Sequence, residues 1–178
     1  MATTQDIVRA ITQRDGIRVV CIDGPAGAGK TTLSEVLLEQ FPQALLIHMD
    51  DLYDGWVDAL DSRLTQRLVD SIITPLTTGA PLQIQTYDWH EERFGETVTL
   101  PYSDVVIIEG VGAAQTSLRE IASVTVWVDV DEHIGKERVL RRDGDAVAPF
   151  IDDWQRQEKS HHEEHKTKAS CHFVVTFS

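Results

Sequence analysis

The chain has 178 residues, 42% of them hydrophobic and 25% charged, with 29 acidic side chains against 16 basic ones and a formal net charge of −13. That length suits one domain, residues 1–178, with a real core and a single active site. An acidic field of this size repels nucleic acid and anionic membrane, so small metabolites are the expected partners and neither of those is.

Residues 4–14 carry apolar positions at Ile7, Val8, Ala10 and Ile11, with Thr3 or Thr4 as cap and Gly16 as stop, and read as a short leading helix. The chain start lacks the basic-then-apolar profile of a signal peptide and no run approaches membrane-spanning length, so a cytoplasmic location is expected. An apolar, β-branched run (Ile17, Val19, Val20, Ile22) then breaks at Gly24-Pro25 and gives way to helix-forming sequence by Leu33.

Within that strand–loop–helix, Gly24, Gly29, Lys30 and Thr31 satisfy G-x-x-x-x-G-K-[ST], the pattern of a phosphate-binding loop. Through Gly24, Pro25, Ala26, Gly27, Ala28 and Gly29, the glycines let successive N–H groups turn inward around an anion. The helix that starts near Lys30 and carries Thr32 in its first turn adds the positive end of its dipole. Lys30 can bridge the β- and γ-phosphates of ATP, and the Thr31 hydroxyl can ligate Mg²⁺.

Leu33, Val36, Leu37 and Leu38 continue a helix to Pro42, and residues 44–48 read as a short buried strand. Its C-terminal end, the edge where open α/β sheets bind ligands, delivers Asp50-Asp51-Leu52-Tyr53-Asp54-Gly55-Trp56. Asp50 is placed to accept the proton of an attacking hydroxyl, while Asp54 and Asp58 read as solvated acids. Residues 61–73 set Leu64, Leu68, Ile72 and Ile73 on one helical face that Pro75 and Gly79 close, with Arg63 and Arg67 on the surface.

Residues 82–87 and 97–100 alternate like two edge strands around 88–95, a hairpin flap spanning about 81–101. Its Tyr87, Trp89, His90 and Arg93 can stack on and hydrogen-bond a cyclic substrate, or pack the flap onto the body. The apolar run Val105–Ile108 ends in Glu109, read as an acidic residue at the metal. A strand over 124–130 leads into a helix whose Arg138, Arg141 and Arg142 can close over a triphosphate, opening a helical lid over about 138–165. The polar helix 150–168 contains His161-His162-Glu163-Glu164-His165, literally H-x-x-E-H, but reads as a solvated face and not a zinc site. Cys21 in the first strand and Cys171 near the last strand, residues 172–177, are expected to be buried, inert thiols.

Together these pieces resemble the uridine-kinase-like group of P-loop kinases over about residues 17–177. Asp50-Asp51-Leu52-Tyr53 resembles the family's Asp-x-Phe-Tyr element, with Asp50 in the place of the base and Tyr53 beside the acceptor. Tyr87-Asp88-Trp89-His90 with Arg93 resembles its acceptor-site Tyr-Asp-Phe, His and Arg, with Trp89 replacing the phenylalanine in a shorter stretch. Ile107-Ile108-Glu109-Gly110 and the run from Val128 to Asp143 resemble its later motifs, although Asp145-Ala146-Val147 stands where a further lid arginine would be. The resemblance implies an α/β fold: a P-loop NTPase three-layer sandwich with five parallel strands in the order 2-3-1-4-5.

The expected activity is Mg²⁺-dependent transfer of the ATP γ-phosphoryl to a hydroxyl of a small metabolite, a nucleoside such as uridine by the resemblance. Two alternatives stay open. One is a nucleoside monophosphate kinase, with Arg63, Arg67 and Arg93 as candidate phosphate ligands. The other is a nucleotide-dependent switch with no acceptor, although no N-K-x-D or T-K-x-D guanine-reading element is present. A homo-oligomer is compatible with the sequence.

Overall fold

The structure is a computed structural model that describes residues 2–177. Helix α1 (Thr4–Thr12) is capped by Thr3, whose side chain accepts from the Asp6 amide while the Asp6 carboxylate receives the Thr3 amide. Strand β1 (Arg18–Asp23) leads into helix α2 (Lys30–Gln40), and β2 (Leu45–His48) into a 3₁₀ turn over Met49–Asp51. Helices α3 (Ser62–Leu68) and α4 (Thr74–Thr78) follow, then strands β3 (Gln83–Asp88), β4 (Arg93–Thr99) and β5 (Val105–Glu109). The remainder is α5 (Thr116–Arg119), β6 (Val124–Asp129), α6 (Glu132–Asp143), α7 (Ile151–Glu164), α8 (Thr167–Ser170) and β7 (Phe173–Thr176).

The five parallel strands run β2-β5-β1-β6-β7, which is the expected 2-3-1-4-5 when the sheet's strands are numbered alone. Parallel strands covered on both faces need apolar side chains on both. Alternate β1 residues accordingly enter two cores. Val20 and Ile22 pack with Ile7 and Ile11 of α1 and Leu33 and Leu37 of α2. Val19 and Cys21 pack with Leu64 and Leu68 of α3, Leu118 of α5 and Trp154 of α7. Helices thus sandwich the sheet, and the C-terminal ends of β1, β2 and β5 converge on one edge.

The structure revises several sequence expectations. Pro75 does not close the helix of residues 61–73: a π-turn over Val69–Ile73 resets the hydrogen bonding so that Pro75 falls in the first turn of α4, and the stop is Gly79 in the left-handed region. The hairpin is tighter than expected, because β3 reaches Asp88 and β4 begins at Arg93, paired as Asp88↔Arg93. Asp88 caps that turn by accepting from the His90 and Glu91 amides. Helix α7 ends at Glu164 because Lys166 is left-handed, with φ 49°. Arg67 is half-buried, not a free surface group: it donates to the Leu52 carbonyl and sits 4.2 Å from the Phe94 ring centroid, tying the hairpin to the body. Both cysteines are free; Cys21 is buried and Cys171 only partly so, with burial pushing the Cys171 thiol up to about 12. No helix among the described residues is long and apolar enough to cross a membrane.

Candidate active site

Strand β1 ends at a hydrogen-bonding junction. The Asp23 carboxylate is fully buried and accepts from the Gly24 amide at 2.7 Å, Gly112 at 3.1 Å, Ala114 at 2.8 Å and His162 Nε2 at 3.0 Å. Burial pulls this carboxyl up, but His162 and the Ala114 and Gly24 amides together hold it below the usual range. Asp23→Ala would strand three buried amides, so it is expected to cost about 3 kcal/mol or more. Because the folded value is depressed, this stabilisation is present above the ordinary carboxyl value and is lost as pH falls through the lowered one. Urea midpoints taken through that acidic window are expected to fall more steeply with acid in the wild type than in Asp23→Asn. Parallel slopes would contradict the assignment.

The loop that follows is built by close backbone approach. A Cβ on Gly27, at φ 76°, would lie 2.2 Å from the Gly135 carbonyl oxygen. One on Gly135, in the first turns of α6, would lie 2.6 Å from the Ala26 carbonyl oxygen. Two glycines therefore let α6 rest on the loop with nothing between their backbones. Gly135→Ala is expected to cost about 1–3 kcal/mol by overpacking, read as a melting point about 2–4 °C lower per kcal/mol. An unchanged melting point would refute this contact.

Lys30 opens α2 and donates to the Gly24 and Pro25 carbonyls at 2.9 and 2.8 Å, which holds its ammonium over the loop. Beside it the Thr31 hydroxyl lies 3.4 Å from Glu109 Oε1, the carboxylate at the end of β5, and His48 Nδ1 contacts the same oxygen at 2.6 Å. A hydroxyl and a carboxylate are the hard oxygen donors that Mg²⁺ takes, one or two from protein and the rest from phosphate and water. The donor set fits that ion. No group of three or more His, Cys, Asp or Glu side chains that could hold a metal ion occurs among the described residues, the H-x-x-E-H run included. It is not a solvated face either: His161 is buried, donates from Nδ1 to the Leu60 carbonyl, and is pushed down to about 4 by burial and by neighbouring His165.

One cavity of about 660 Å³ joins the loop to the second strand end. From the loop side it is lined by Ala26, Gly27, Gly29, Lys30, Thr31 and Thr32, and from the far side by Asp50, Tyr53, Trp56, Trp89 and Trp154. Asp50 sits on the exposed 3₁₀ turn, and Trp89 of the hairpin donates its indole N–H to the Asp50 carbonyl at 3.0 Å. Tyr53 is buried and donates to the Val111 carbonyl, so it shapes the wall. Trp56 stacks on Phe150 and packs against Trp89 and Trp154 at centroid distances of 5.1, 5.0 and 5.8 Å. That wall is apolar and aromatic.

The structure does not bring every predicted residue there. Gly24, Pro25 and Ala28 complete the loop behind the lining residues. Arg138 and Glu109 line the cavity, whereas Arg141 is exposed and pairs with Glu137 one turn back. Arg142 lines it instead, held by Asp143. Tyr87 supports Trp89 edge-on from below, and His90 and Arg93 are exposed at the hairpin tip, outside the cavity. The residues that sequence reasoning passed over are Asp23, Trp56, Trp154, Glu158 and His162; the spacing of Trp154, Glu158 and His162 at i, i+4 and i+8 on one face of α7 was the available signal.

The strand–loop–helix at the edge of a 2-3-1-4-5 sheet defines a P-loop fold. No family model matches the chain. It is 37% identical over 138 residues to inorganic pyrophosphatase TTM1 of Arabidopsis thaliana, which takes in 72% of this chain but only about a fifth of that relative's length. It is 28% identical over 157 residues to a uridine kinase of Latilactobacillus sakei, covering 80% of this chain and 74% of that one. Its fold superposes on a possible uridine kinase from Bacillus stearothermophilus with a TM-score of 0.69 and 19% identity, over 97% of this chain and 96% of the other. The chain is thus similar in sequence to uridine kinases and shares the fold of a possible uridine kinase.

Proposed function

We propose that the protein is an ATP-dependent kinase that transfers the γ-phosphoryl group to a hydroxyl of a small, uncharged acceptor. The observation that carries this reading is the single cavity shared by Lys30 with the loop amides at one end and Asp50 at the other. Kinase relatives support the donor as ATP. The loop amides and Lys30 would hold the β- and γ-phosphates. Thr31 and Glu109 would hold Mg²⁺, which when bound neutralises phosphate charge.

Asp50 would orient the acceptor hydroxyl and take its proton as the oxygen bonds to the γ-phosphorus and the bond to the β-phosphate bridging oxygen breaks, releasing ADP. Arg138 and Arg142 would sit against the transferring group, and Arg141 would serve the helix surface. The Trp56, Trp89 and Trp154 wall would shield one side of the transferring group from water.

The placement of the arginines disfavours a monophosphate acceptor. Arg63 is exposed and bonded to Asp61, Arg67 is engaged with Leu52 and Phe94, and Arg93 lies at the hairpin tip, so none of the three faces the cavity. An acceptor phosphate would need a cation of its own, beyond Arg138 and Arg142 at the transferring group.

An ADP-release assay over nucleosides, nucleotides, sugars, vitamins and pyrophosphate tests the reading. One hydroxyl compound is expected to stimulate release and to acquire a phosphomonoester resonance in ³¹P NMR. Slow release that no compound stimulates would favour the nucleotide switch, and hydrolysis of pyrophosphate alone would favour the activity for which the Arabidopsis relative is named.

A further inference from the structure

Helix α7 fastens both halves of the cavity to one rod. Toward the phosphate loop, Glu158 Oε2 accepts from the Ala26 amide at 3.0 Å, and one turn later His162 donates to Asp23, which itself holds the Gly24 amide. Toward the acceptor wall, the same Glu158 oxygen accepts from the Trp154 indole at 3.1 Å. Gln157 donates to the Trp56 carbonyl at 2.8 Å and accepts from the Ala59 amide at 3.0 Å. Glu158 is only 4% exposed and does not itself line the cavity, so it reaches the two sites through Ala26 and Trp154. One buried oxygen thus bridges a loop amide and the indole that lines the acceptor side.

We propose that Glu158 is a positioning residue that couples the phosphate loop to the acceptor wall, so that occupation of the loop is felt at Trp154. The inference rests on the reading of the loop as a nucleotide site. Burial pushes the Glu158 carboxyl above its ordinary value, and the Ala26 N–H, the nearby positive charge of Lys30 and the Trp154 N–H offset only part of that, so its hold on the loop and the indole depends on those donors. A polyphosphate entering the loop draws on Lys30 and the loop amides and repels Glu158 at short range. The carboxylate must shift its hold, and the indole bonded to it shifts with it. Trp154 contacts Tyr53 and Trp56 at centroid distances of 5.1 and 5.8 Å, which carries the shift into the aromatic wall.

The indole N–H resonances of ¹⁵N-tryptophan-labelled protein report this directly, with that of Trp154 assigned by its absence in Trp154→Phe. Mg²⁺ with the non-hydrolysable analogue AMPPNP serves as the probe, and calorimetry verifies binding in each variant. On saturation the Trp154 resonance is expected to move in the wild type. In Glu158→Gln, which keeps an accepting oxygen without the charge, it is expected to move by less than half as much. In Glu158→Ala it is expected to be displaced already in the free protein and to respond least.

A purely structural anchor would lower the melting point of Glu158→Ala and leave the nucleotide response of Trp154 intact. That outcome would overturn the coupling, as would a motionless Trp154 resonance in wild-type protein shown to bind. Absence of binding to the wild type would overturn the nucleotide reading itself, and the coupling with it.

Discussion

Lys30→Ala is expected to weaken Mg·ATP binding by about 100-fold or more while the protein stays folded. The ammonium is held over the loop by the Gly24 and Pro25 carbonyls, and the proposed ligand brings several negative charges to that point. A hydrogen bond to a charged group contributes about 1.5–3 kcal/mol, and two phosphates would share this one. At 1.4 kcal/mol per decade, two such bonds correspond to about two decades or more in Kd. Lys30 is 9% exposed at the start of α2, so Ala, a strong helix former, leaves the helix intact. Calorimetry with far-ultraviolet circular dichroism as a fold control checks this. Wild-type affinity in Lys30→Ala would contradict the loop assignment.

Asp50→Asn is expected to lower turnover by about 10²–10⁴-fold, the usual contribution of a positioned general base. Nucleotide affinity should stay within about twofold, because the lost function belongs to the transition state. The carboxylate is exposed on the 3₁₀ turn at the mouth of the cavity, and Trp89 is fixed to the Asp50 main-chain carbonyl, which the substitution leaves in place. The wall should therefore survive the change. Single-turnover kinetics with the acceptor found in the release assay measures it, and undiminished turnover would remove Asp50 from the mechanism.

Local features of the chain were legible in the sequence because the physics that fixes them is local. Residues Ile17 to Leu33 declare strand, loop and helix through β-branched residues, glycines and a Lys-Thr pair that need no distant partner. Asp50 and Glu109 could be read as strand-end carboxylates for the same reason, and the fold places both on the cavity. The strand order came from family resemblance, and the sheet has it.

What stayed hidden depends on long-range pairing. His162 and Asp23 are separated by 139 positions, and Ala26 and Glu158 by 132, so no spacing rule links them. His161 to His165 look like a solvated face because they are polar, yet the helix turns His161 into a buried contact with Leu60. Conversely, His90 and Arg93 have the residue types of a substrate site, but β3 runs to Asp88 and β4 begins at Arg93, which leaves them at an exposed tip. Pro75 was misread as a terminator because a π-turn, which leaves no mark in hydrophobic periodicity, absorbs it.

The central claim is that the amides between residues 24 and 31 and the Lys30 ammonium enclose the phosphates of a nucleotide. Isothermal titration of the wild-type protein with Mg·ATP tests it most directly. Saturable heat at one nucleotide per chain is expected, with the affinity weakened about 100-fold or more in Lys30→Ala. No heat from the wild type across a range of concentrations and temperatures would contradict it.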